Sequence, residues 1–134
     1  MREYLFRGKR LSDGKWCEGF LTVVFEHTYI GKANEDENCF RFLVDPETVG
    51  QFTGMKDRNG KEIFEGDICR VCLDPEICTA HIQYDERTAS FNMRYNKFQC
   101  NTFLDMRLAE NRVGDRVWIE VIGNIHDNPE LLEG

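Results

Sequence analysis

The chain has 134 residues, and its 17 Lys and Arg against 24 Asp and Glu leave a formal net charge of −7. That length is enough for one domain with its own core, and the charge, though dense, is mixed in sign, which excludes a disordered polyelectrolyte. The acidic balance argues against non-specific nucleic-acid binding, and the longest apolar runs, such as "GFLTVV", are far too short to span a bilayer.

In chain order, short apolar stretches alternate with turn signals every eight to twelve residues or so, the rhythm of a β-rich domain. "EYLFRGKRL" and "WCEGFLTVVFE" flank "SDGK", where Asp13-Gly14 offers the positive φ of a tight hairpin turn. "HTYIGK" and "CFRFLV" are expected as strands on either side of the polar loop "ANEDEN". "DPETVG" sets Asp45 as an N-cap, Pro46 at the first helical position and Gly50 as a stop, which predicts a single helical turn. "DICRVCL", "CTAHIQYD" and "ASFNMRY" read as three consecutive antiparallel strands. "TFLDMRLAEN", with Leu104 and Leu108 four apart, predicts one short helix, and "DRVWIEVIGNI" a closing strand with Val117, Ile119 and Val121 on one face. Asp127, Asn128 and Pro129 then introduce a last helical turn, "ELL".

Gly54, with five residues between it and Gly60-Lys61, nearly matches a phosphate-binding loop. Such a loop needs four intervening residues, then Ser or Thr after the lysine; here Glu62 would bring the wrong charge. Asn59-Gly60 predicts a type I′ hairpin turn instead.

The segment "DPETVGQFTGMKDRNGKEIFEGDICRV" closely resembles the signature of the YopX family of bacteriophage and prophage proteins. The likeness extends to "REYLFRGKR…GKWCEGFL", "IQYDERTASF" and "VIGNIHDNPELL", nearly the whole chain in order. It implies a phage or prophage origin, a bacterial cytoplasm and a β-rich fold with a small barrel-like, SH3-like core, and it implies no reaction. Cys69 and Cys72 depart from the family's apolar or variable positions.

Cys69, Cys72, Cys78 and His81 form C-x2-C-x5-C-x2-H, four zinc-competent ligands. In a strand, however, an offset of three points Cys69 and Cys72 to opposite faces, so packed thiols are expected and no metal or other cofactor. With no secretory signal apparent, the six cysteines are expected as thiols in a reducing cytosol. Glu62, Glu65 and Asp67 form a carboxylate cluster that would suit acid–base or metal chemistry, yet solvated charges at a hairpin bend explain it as well. "FNMRYNKF" interleaves Phe91, Tyr95 and Phe98 with Arg94 and Lys97, the mixture of a single-strand stacking platform, but core packing accounts for the Phe91, Met93, Tyr95 face.

The sequence therefore predicts one mostly β domain over residues 1–134, with an N-terminal hairpin. No catalytic residues are assigned. The expected role is non-enzymatic contact with an unidentified protein, with a nucleic-acid-binding module and a Glu62/Glu65/Asp67 enzyme as rivals. Self-association is expected too, the basic Arg7, Lys9 and Arg10 meeting the acidic tail around Glu130 and Glu133.

Overall fold

A computed structural model describes residues 4–31, 42–73, 75–96, 101–103 and 117–133. Eleven strands are defined among them, and the chain is mostly β, in two open antiparallel sheets with no closed barrel among the described residues. The expected loop "ANEDEN" and most of the expected helix "TFLDMRLAEN" lie outside these residues; the start of the latter is strand, Asn101–Phe103. The chain divides into two compact units, Met1–Phe52 and Thr53–Gly134.

In the first unit, β1 (Phe6–Lys9), β2 (Trp16–Val24), β3 (His27–Gly31), β4 (Phe42–Leu43) and the start of β5 (Gly50–Lys56) pair in the order β4-β3-β2-β1-β5. The N-terminal hairpin forms with Lys9 opposite Trp16 and Phe6 opposite Gly19. Its connection is longer than the tight turn expected. Gly14 has φ +71°, while the Asp13 carboxylate accepts the Lys15 amide at 3.0 Å and holds the Arg10 guanidinium. The next hairpin has only two linking residues between paired Val24 and His27, and both, Phe25 (φ 47°) and Glu26 (φ 68°), are in the left-handed region. That is the backbone of a type I′ turn, built here without glycine or asparagine. The expected helical turn is a 3-10 turn, Pro46–Thr48, with the Asp45 side chain accepting the Glu47 amide at 3.1 Å. Thr48 ties it to β1, its hydroxyl accepting the Lys9 amide at 2.9 Å and donating to the Asp45 carbonyl at 2.7 Å.

In the second unit, β5 continues and is followed by β6 (Glu62–Phe64), β7 (Asp67–Leu73), β8 (Ile77–Asp85), β9 (Ser90–Tyr95), β10 (Asn101–Phe103) and β11 (Val117–Asn124). The five-stranded sheet runs β10-β9-β8-β7-β11, so the three consecutive strands read from the sequence are its centre. The last strand crosses back to pair with β7, and a register shift between Val121 and Gly123 marks a bulge there. Alternation puts Cys69, Val71, Cys78, Ala80, Ile82, Met93, Tyr95 and Ile119 on one face, where they bury with Ile63. Full burial of a side chain the size of Ile82 contributes about 1.5–3 kcal/mol.

The 54–61 stretch is a hairpin, but not of the expected type. Asn59 is absent from the positive-φ residues, whereas Gly60 has φ +83°. The Gly60 amide donates to the Asp57 carbonyl at 3.0 Å and the Asp57 amide to the Lys61 carbonyl at 2.8 Å. This is a three-residue loop, a type I turn closed by a left-handed glycine, which accommodates the twist of the strands as well as a type I′ turn does.

Candidate functional site

The carboxylates singled out from sequence do not act as one group. Asp67 is 1% exposed, and its Oδ2 accepts the Phe64 amide at 2.7 Å, so it locks the β6–β7 corner from inside instead of facing water. Glu62 and Glu65 remain half-buried outside it. The C-x2-C-x5-C-x2-H residues are likewise divided. Cys69 and Cys78 are in the core cluster, while register places Cys72, opposite Ile77, and His81, opposite Ile68, on the other face of the sheet. Among the described residues no group of three or more His, Cys, Asp or Glu is disposed to hold a metal ion. Cys17, Cys69, Cys72 and Cys78 form no disulfide. Burial, and secondly the Arg94 charge, hold the His81 imidazole below its ordinary pKa.

The aromatic stretch on β9 is packed rather than presented. Met93 and Tyr95 are buried, and Phe91 packs beside them with its ring edge-on to Tyr84 at 5.3 Å. Lys97 and Phe98 lie outside the described residues.

The exposed chemistry lies on the first sheet. Register assigns Ile30, Thr28 and Val44 to its buried face, with Gly8 so placed that a Cβ would come 3.1 Å from Ile30 Cδ1. The opposite face carries Arg7, Lys9, Trp16, Glu18, Phe20, Thr22, Tyr29 and Leu43. The exposed side of an antiparallel sheet is ordinarily polar. Here Phe20 is 49% and Leu43 38% exposed, and none of those eight side chains is buried. Two cations lie near the Trp16 ring, the Arg7 guanidinium 4.8 Å and the Lys9 ammonium 5.5 Å from its centroid. At the sheet's end a groove of about 440 Å³ is lined by Arg10, Leu11, Ser12, Phe42 and Leu43. Arg10 lies over the Phe42 ring at 4.8 Å rather than over the Arg7–Lys9 face.

The β2–β3 hairpin is the second exposed feature. Val23 is 63% and Phe25 91% exposed, at a turn whose backbone disfavours both of its residues. Sequence reading missed it because "LTVVFEHTYIG" contains no turn-forming residue before its glycine; the only signal was two runs of strand-forming residues meeting without punctuation. No helix among the described residues is long and apolar enough to cross a membrane.

A family model described as YopX protein matches residues 5–133. The crystal structure of protein EF1440 from Enterococcus faecalis is similar, with a TM-score of 0.59 and 26% identity, over 99% of this chain and 100% of that one. No curated protein matches.

Proposed function

The chain belongs to the YopX family, and we propose that it is a phage or prophage accessory protein that acts in the host cytoplasm without catalysis, by contact with a partner protein. The observation that carries this reading is the β2–β3 hairpin tip, where Phe25 is 91% exposed on a left-handed turn. Positive φ at a bulky residue is strained, and an exposed ring gains nothing in the fold to offset that strain. Backbone strain of this kind clusters at functional sites, and Val23, 63% exposed two residues away, adds a second apolar side chain at the tip. The inward turn of Asp67 supports the non-enzymatic reading, because it removes one of the three carboxylates from any open site.

The test is affinity capture from the cytoplasmic extract of the bacterium that carries the gene, comparing the wild-type chain with Phe25→Ser. Specific, stoichiometric capture of an identified protein, lost in Phe25→Ser while the melting temperature holds or rises, is the expected result. Equal capture by both chains would refute the role of the tip.

A further inference from the structure

We propose that the free half of the β2 edge takes up an extended segment of the partner protein as an added antiparallel strand. β2 runs for nine residues, Trp16–Val24, but β1 pairs only with the stretch from Trp16 to Gly19. Tyr4 and Leu5, which precede β1, are not in a strand, and the Leu5 carbonyl accepts the Phe52 amide at 2.7 Å, on the β5 side. Among the described residues, the stretch from Phe20 to Val24 therefore has a strand on one side only, β3. Alternation fixes which backbone groups face the open side. The Arg10 amide donates to the Lys15 carbonyl at 2.9 Å, and in that register every second residue of β2 bonds to β1, Cys17 and then Gly19. Leu21 and Val23 continue the series beyond the end of β1. From the other side, the Thr28 carbonyl accepts the Val44 amide at 2.9 Å, so Thr28 turns away from β2. Its neighbours His27 and Tyr29 then turn toward Val24 and Thr22. Both routes leave the amides and carbonyls of Leu21 and Val23 directed outward.

Open edges are normally guarded by charge, by proline or by a covering element. "GFLTVVF", from Gly19 to Phe25, has no charged residue and no proline, and the β-branched Thr22, Val23 and Val24 favour an extended chain. Five residues of strand span about 17 Å, the length of an ordinary strand. That chemistry fixes the occupant as an extended, proline-free segment whose own amides and carbonyls bond Leu21 and Val23, antiparallel to β2 as β1 is. Its side chains opposite Leu21 and Val23 are apolar, because Val23 is 63% exposed and gains a cover there. Phe25, 91% exposed at the hairpin tip, meets the end of the added strand. Strand addition supplies main-chain hydrogen bonds that an apolar tip alone lacks.

The inference rests on the reading of this protein as one that meets a partner at the hairpin tip, and it states how that partner is held. Two measurements test it. Amide hydrogen exchange of the free chain, read by NMR, should show Leu21 and Val23 exchanging roughly tenfold or more faster than Thr22 and Val24. In the complex with the captured partner, identified and purified, the same two amides should slow by roughly tenfold or more. Val23→Pro removes one outward amide and spares the β3 ladder, since proline is tolerated where its nitrogen faces away from the neighbouring strand. It should weaken capture roughly tenfold. Val23→Thr keeps the amide and the β-branched shape, and should capture nearly as well as the wild-type chain. Protection of Leu21 and Val23 in the free chain overturns the proposal, because the chain itself then fills the edge. Protection that appears only as the free chain is concentrated assigns the edge to a second copy and overturns it equally. So does unchanged exchange at both amides in the complex, or equal capture by a folded Val23→Pro. If Phe25→Ser still loses capture in that case, the contact at the tip stands and only the added strand falls. Should Val23→Pro fail to fold, exchange in the complex decides alone. A wild-type chain that captures no identified protein removes the reading and this inference together.

Discussion

The carboxylate of Asp57 reaches from the β5–β6 hairpin to the last strand, where its Oδ2 accepts the Val121 amide at 2.9 Å. Its other oxygen accepts the Asn59 and Lys61 amides, both at 2.9 Å, and the side chain is 2% exposed. With the Arg58 amide donating to the Ile119 carbonyl at 3.0 Å, the hairpin covers the outer edge of β11, which would otherwise offer unpaired groups to another chain.

Asp57→Ala should therefore be among the costliest single changes in the second unit. It removes the acceptor for three backbone amides, and one buried unsatisfied donor costs about 1–3 kcal/mol. A loss of roughly 3 kcal/mol or more is expected, read as a lower urea midpoint. Asp57→Asn should cost less but still destabilise, since its NH2 group only donates and its one remaining oxygen can accept from the turn or from Val121 but not from both.

Gly60 and Asn59 separate the two possible turns. Nothing lies within 4 Å of a Cβ at Gly60, so the penalty there is backbone strain at φ +83° alone. Gly60→Val should cost on the order of 1–3 kcal/mol and lower the melting temperature by several degrees, with Gly60→Asn milder. Asn59→Ala should be nearly neutral, because Asn59 is exposed and has negative φ; a type I′ turn would have made it costly.

Replacing Phe25-Glu26 by Asn-Gly should stabilise the first unit by about 1–2 kcal/mol, since those residues tolerate the positive φ that the turn demands. Thermal denaturation reads the gain. Capture of the partner should be lost in the same variant, a trade of stability against binding.

The pH dependence of stability should include a contribution from His81. Its folded pKa lies below the ordinary value of 6.5, so the unfolded chain binds the proton more readily. Stability from this group is thus complete above the unfolded pKa and falls as pH drops through it toward the folded value. The wild-type melting temperature should decline more steeply than that of His81→Gln as pH falls below about 6.5. Parallel curves for the two proteins would show that His81 titrates alike in both states.

Local chemistry was legible in the residues themselves. Asp45-Pro46 starts a helical turn and Asn59-Gly60 closes a hairpin because capping and positive φ are properties of two or three adjacent residues. The alternation of "DICRVCL" and "CTAHIQYD" places Cys69 and Cys72 on opposite faces for the same reason, as a strand's period of two needs no distant partner. What only the tertiary structure decided depends on groups far apart in the chain. The return of β11 to β7 and the bond from Asp57 to Val121 are set by pairing across long loops, which leaves no local pattern. Phe25-Glu26 takes a type I′ turn against the preference of both residues because Val24 and His27 on either side are already paired. Arg7, Lys9 and Trp16 become one surface only because β1 lies beside β2 in a register that sets Lys9 opposite Trp16. The sequence held those three side chains, and cross-strand hydrogen bonding decided that they would meet.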